Sequence, residues 1–148
     1  MDRAATRAAA LAEARRWIGT PYRHQASLRG AGSDCLGLIR GVWRALHGDE
    51  PEPTPPYSPD WAERSGETAL LAAAARHLDP LEIGAAEPGD VILLRPFLRG
   101  PVKHCAILDR ESRMIHAYHG RAVTASALSP WWRARIAAAG AFPIPHKD

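Results

Sequence analysis

Three side chains in this sequence have the types and spacing for nucleophilic chemistry: Cys35, His104 and His116. A thiol is a weak nucleophile until ionised. Its pKa of about 8.5 falls at a helix N-terminus, where unpaired backbone N–H groups and the macrodipole favour the thiolate. Ser33 and Asp34 are good helix-capping residues. Leu36, Ile39, Trp43 and Leu46 then recur at helical spacing until His47-Gly48, which puts Cys35 in the first turn of a helix. A base must lie within hydrogen-bond reach of the sulfur, and it works best when a third polar group fixes its tautomer.

Two short apolar segments can supply both. Val102 to Asp109 and Met114 to Tyr118 read as strands joined by the polar turn Arg110-Glu111-Ser112, an antiparallel hairpin. Alternation places Val102, His104, Ala106 and Leu108 on one face, and Lys103, Cys105 and Ile107 on the other. On the return strand Met114, His116 and Tyr118 share a face. His116 then lies opposite or diagonal to His104, with Cβ atoms about 4.5–8 Å apart. If the helix start bearing Cys35 packs on the His104 face, a thiolate, an imidazole and an orienting imidazole come together. Cys105, on the far side beside Ile107 and Ile115, reads as core.

The elements around these residues follow from the same patterning. Ala4 to Trp17 reads as a helix with Ala8, Leu11, Ala14, Arg15 and Ile18 near one stripe, stopped by Gly19. A polar loop runs from there to Ser33. Residues 49–60 are dense in Pro and acidic residues and read as a surface loop. Glu67 to His77 reads as a third helix, and Glu87-Pro88-Gly89-Asp90 as a turn opening the strand Val91 to Arg95. The first half is thus helix-rich and the second half strand-rich.

Composition bounds the remaining choices. The chain has 148 residues, 46% hydrophobic and 24% charged, which suits one domain spanning 1–148 with one core. With only two cysteines, a disulfide scaffold is not expected. No apolar run is long enough to span a bilayer. Met1 to Trp17 is broken by Arg3, Arg7, Glu13, Arg15 and Arg16, so no signal peptide is read there. A net charge of +3 without a clustered basic face argues against nucleic-acid binding. His116 and His119 invite a metal with Cys105, but strand parity separates Cys105 from His116 and no zinc-type spacing is present, so no metal and no cofactor are expected. Taken singly, Cys35, His104 and His116 each have a plain structural reading, and it is their placement together that favours chemistry. Trp17, Trp43, Trp131 and Trp132 read as core or interface aromatics.

The motifs resemble a known family. Gly19-Thr20-Pro21-Tyr22, followed by Ser33-Asp34-Cys35-Leu36-Gly37-Leu38-Ile39, closely resembles the signature segment of the NlpC/p-sixty peptidases. Glu87-Pro88-Gly89-Asp90-Val91-Ile92, Lys103-His104-Cys105-Ala106-Ile107 and Met114-Ile115-His116-Ala117 resemble its later blocks, in the right order. The resemblance implies a papain-like α+β fold, with N-terminal helices packed on a mostly antiparallel sheet. It implies a metal-free enzyme that cuts amide bonds in peptidoglycan stem peptides. Cys35 would be the nucleophile, His104 the base and His116 the third polar member. Tyr22 and Asp34 would help line the substrate pocket, and the Cys35 backbone N–H would serve the oxyanion site.

The compact domain and His24 after Tyr22-Arg23 resemble more narrowly the subfamily found in phage tails and gene transfer agents. That implies tail-tip or hub proteins as partners. The protein would be made in the cytoplasm without a signal peptide and delivered by a particle to the cell wall in the target's periplasm. His24-Gln25-Ala26 stands where many members carry Trp-Gly-Gly, and Leu36 stands where many carry Ser. A catalytically weak or inert structural component of a tail tip is the alternative.

Overall fold

A computed structural model describes residues 1–52, 68–118 and 120–146. Most of the Pro-rich segment, the Glu67 start expected for the third helix, and His119 lie outside these residues. The chain folds as helices packed on a mostly antiparallel sheet, the two N-terminal ones on one face, an α+β architecture.

Helix α1 covers Arg3–Arg16, with Asp2 as N-cap accepting from the Ala5 N–H and Trp17 as C-cap. Its buried residues are Thr6, Ala10, Leu11 and Ala14, and Trp17 continues the same face. Of the expected stripe only Leu11 and Ala14 are buried; Ala8 and Arg15 are exposed, and Ile18 is 45% exposed. Alanine surrounds this helix, so period alone does not select a face, and the docking of Trp17 does. Helix α2 covers Cys35–His47. It buries Leu38 and Val42, flanked by the partly buried Leu36, Ile39, Trp43 and Leu46. Gly41 is the slot for Trp17, because a Cβ there would sit 2.0 Å from the indole ring. Helix α3 covers Thr68–His77.

Eight strands follow in chain order: β1 Ser27–Leu28, β2 Gly32–Ser33, β3 Asp79–Leu81, β4 Val91–Leu94, β5 His104–Asp109, β6 Arg113–His116, β7 Thr124–Ala127 and β8 Ile136–Ala141. A short helix α4, Pro130–Arg133, precedes β8. The first two strands pair with each other, and the other six form one sheet ordered β3-β8-β4-β5-β6-β7. Strand β4 is central and all four of its residues are buried. One face carries Val91, Leu93, Cys105, Ile107 and Ile115 against α1 and α2. The other carries Ile92, Leu94, Ala106 and Met114 against Leu128 and Trp132.

A buried ion pair ties α1 to the start of β4. The Arg7 Nε donates to both Asp90 carboxylate oxygens, at 3.0 and 3.1 Å, and the Asp90 side chain is 0% exposed. Asp90 also accepts from the Glu87 N–H at 2.9 Å, closing the expected Glu87–Asp90 turn. The β5–β6 hairpin forms as expected, pairing Asp109 with Arg113 around Arg110-Glu111-Ser112. Glu111 and Ser112 turn the chain with φ of 60° and 54°.

Candidate active site

The site begins with how α2 starts. Asp34 has extended backbone, φ −101°, and its Oδ1 accepts the Gly37 N–H at 2.7 Å. Its Oδ2 accepts the Gln25 N–H, also at 2.7 Å. One buried carboxylate thus caps the helix and pins the preceding loop. The loop presses on the first turn of α2 so closely that a Cβ on Gly37 would lie 2.0 Å from the Ala26 carbonyl oxygen. Ser27 Oγ donates to the Gly37 carbonyl at 2.6 Å. This contact accounts for glycine two residues after Cys35. Gln25 takes a left-handed φ of 65°, a conformation that favours glycine.

Cys35 is the first residue of α2 and is partly exposed. Its pKa is held well below the ordinary thiol value. The largest cause is a hydrogen bond from Cys105, which outweighs burial; a hydrogen bond and positive charge from His104 add to it, while the negative charge of Asp34 opposes. Cys105 moves the other way, pushed up by the bond to Cys35 and by burial.

This placement corrects one expectation. The helix start does not pack on the face shared by His104 and Ala106; α2 lies on the Cys105–Ile107 face. Cys105 is buried in the core as expected, at 1% exposure, and it also touches the nucleophile candidate. His104 still reaches the sulfur because it is the first residue of β5, where the strand end lies against the start of α2.

Behind His104 stands His116. The register pairs Ile107 with Ile115; carried along the ladder it sets Ala106 opposite His116, and therefore His104 diagonal to His116. The rings meet, with His104 Nε2 2.8 Å from His116 Nδ1. That leaves His104 Nδ1 for the sulfur. His116 Nε2 is in turn 2.6 Å from Ser126 Oγ. Burial, and next the positive charge of His104, push the His116 pKa down to about 3, so at neutral pH this ring carries no charge. Both imidazoles are nearly buried, at 3% and 4% exposure. Tyr118 and Trp132 close over them, with ring centroids 4.8 and 5.6 Å from His104. The edge of Trp132 also meets His116 at 5.6 Å.

Tyr22 sits beside the site through a bridge to Ser33. Its hydroxyl pKa is raised by burial first, then by the negative charges of Cys35 and Asp34. Ser126 and Trp132 belong to this site without having been assigned to it from the sequence. Ser126 lies in a short polar strand with no apolar alternation to reveal it, and Trp132 lies in the short helix α4. Among the described residues no cluster of His, Cys, Asp or Glu is arranged to hold a metal ion. No helix among them is long and apolar enough to cross a membrane.

A sulfur at a helix start, facing an imidazole on an antiparallel sheet with a second imidazole behind it, is the layout of cysteine-dependent acyl-transfer enzymes. The chain belongs to the NlpC/P60 family, whose model matches residues 19–140. Among solved structures it is similar to the NlpC/p60 domain of the peptidoglycan hydrolase SagA, with TM-score 0.63 and 23% identity over 92% of this chain and 98% of that one. It is also similar to an NlpC/P60 family protein from Bacillus cereus, with TM-score 0.65 and 21% identity over 92% of this chain but 40% of that one. The peptidoglycan hydrolase RipB from Mycobacterium tuberculosis aligns with TM-score 0.59 and 19% identity, over 95% and 67% of the two chains. This chain therefore spans well under half of the Bacillus cereus relative. No curated protein sequence matches it at a significant level.

Proposed function

We propose that this chain hydrolyses an amide bond in the stem peptides of bacterial peptidoglycan. Cys35 attacks the scissile carbonyl as a thiolate, and His104 holds the sulfur's proton as imidazolium. The Cys35 backbone N–H helps stabilise the oxyanion. His104 then protonates the leaving amine, and water deprotonated by His104 releases the acyl group from sulfur. His116 orients His104. Tyr22 lines the approach to the sulfur, and Asp34 supports the pocket by pinning its loop and helix. The observation that carries this reading is a cysteine at the start of α2 whose pKa is lowered in part by His104, with the His104 ring held 2.8 Å from His116.

Mass analysis of soluble muropeptides after incubation tests it. Loss of intact mass with the wild type, and none with Cys35→Ala, is expected; cleavage that persists in Cys35→Ala removes the sulfur from the mechanism. No cleavage by either would favour an inert tail-tip component. The phage-tail or gene-transfer-agent setting, with tail-tip or hub partners and action on the periplasmic wall of a target cell, rests on the resemblance at His24. Sedimentation of the protein with particles checks it, and protein found only free would count against it.

A further inference from the structure

Ser126 lies on β7, where the register pairs Met114 with Ser126 and His116 with Thr124. It is therefore diagonal to His116 on the same sheet face, and its Oγ is 2.6 Å from His116 Nε2. The other nitrogen of His116 is 2.8 Å from His104 Nε2. Both nitrogens are engaged, yet a neutral imidazole has only one proton to place. That choice decides what His104 can do. When His104 takes the Cys35 proton on Nδ1, its Nε2–H must find an acceptor. If the His116 proton is on Nδ1, two N–H groups face each other across 2.8 Å. If it is on Nε2, His116 Nδ1 accepts from His104, and the Nε2–H needs an acceptor of its own.

We infer that Ser126 is a positioning residue: its hydroxyl oxygen accepts the His116 Nε2–H and holds His116 in the tautomer that lets His104 carry the proton from Cys35. The proton balance is closed. One proton moves from the Cys35 thiol to His104 Nδ1, while His104 keeps its Nε2–H, His116 its Nε2–H and Ser126 its hydroxyl hydrogen. A His116 too buried to charge at neutral pH fits a neutral acceptor in the middle of this chain. The register explains why a serine suffices: a diagonal cross-strand partner needs only a short side chain to reach the ring.

The inference rests on the proposed peptidase reading, so its test has a readout independent of cleavage. Nitrogen NMR of histidine-labelled full-length protein reports which His116 nitrogen carries the proton. In the wild type Nε2 is expected to be protonated and Nδ1 bare. Ser126→Ala should mix the tautomers and lower kcat about tenfold with KM unchanged. Ser126→Thr, which keeps the hydroxyl, should restore both. A single unchanged tautomer in Ser126→Ala, or Nδ1 protonated in the wild type, overturns the assignment. A wild type that shows the expected tautomer but leaves muropeptides intact instead defeats the peptidase reading.

Discussion

Cys35 packs against the cluster that holds Cys105, and each thiol is the largest single influence on the other's pKa, so the two cysteines of the chain are neighbours across the junction of α2 and β5. One is held toward the thiolate and the other toward the thiol. Iodoacetamide near neutral pH should therefore label Cys35 well before Cys105. In Cys105→Ala the pH midpoint for Cys35 labelling should rise, because its strongest thiolate-stabilising partner is gone. An unmoved midpoint would leave His104 and the helix start as sufficient cause.

Asp34 acts on the same sulfur in the opposite sense, since its charge raises the Cys35 pKa while its oxygens hold Gly37 and Gln25. Asp34→Asn keeps a capping oxygen and removes the charge. Its labelling midpoint should move down relative to wild type. Asp34→Ala also removes the cap and should cost about 1 kcal/mol or more in urea unfolding.

His116 links stability to pH. Its folded pKa is about 3, against roughly 6.5 unfolded. Between those values the unfolded chain binds the extra proton, so stability is full above about pH 6.5 and falls as pH drops toward 3. The limiting slope for one such group is about 1.4 kcal/mol per pH unit. His116→Gln should flatten the pH dependence of urea unfolding in this window. Comparing slopes isolates His116 from His47, whose pKa is also lowered by burial. Parallel wild-type and mutant curves would contradict this account.

Arg7 is the guanidinium partner of a fully buried Asp90 carboxylate. Arg7→Met should destabilise by about 3 kcal/mol, because it leaves a buried charge without its cation. The double variant Arg7→Met, Asp90→Asn should recover part of that loss. Thermal melts of the three proteins decide it.

What could be read in advance follows the strength of local patterning. Helix α2 and its cap, the strand of Val91, and the hairpin joining His104 to His116 all carry apolar periodicity bounded by turn residues, and they form as expected. Strands β3 and β8 were not legible. Asp79-Pro80-Leu81 contains a proline tolerated because the strand is at the sheet edge, and Ile136–Ala141 is rich in alanine, a helix former. Alanines 138 and 139 are strand residues because they pair with Leu93 and Ile92 of β4, a tertiary demand no local window contains. At the site, residue types and strand parity were readable. Which face α2 would cover was not, since both faces of the hairpin are apolar, and so the Cys35–Cys105 contact had no local signal.

The sheet separates two cores, and the candidate site residues are divided between them. Cys35 packs with the larger cluster under the helices, while the imidazole pair lies with Trp132 on the smaller one. Sulfur and ring therefore meet only while both layers are seated on the sheet at once. A slight lifting of the first turn of α2 parts the Cys35 sulfur from the His104 ring and leaves the His104–His116 contact in place. Mild denaturant should then extinguish rapid alkylation of Cys35 before the tryptophan fluorescence of the fold changes, which makes the thiol's reactivity a gauge of how well the two layers are docked.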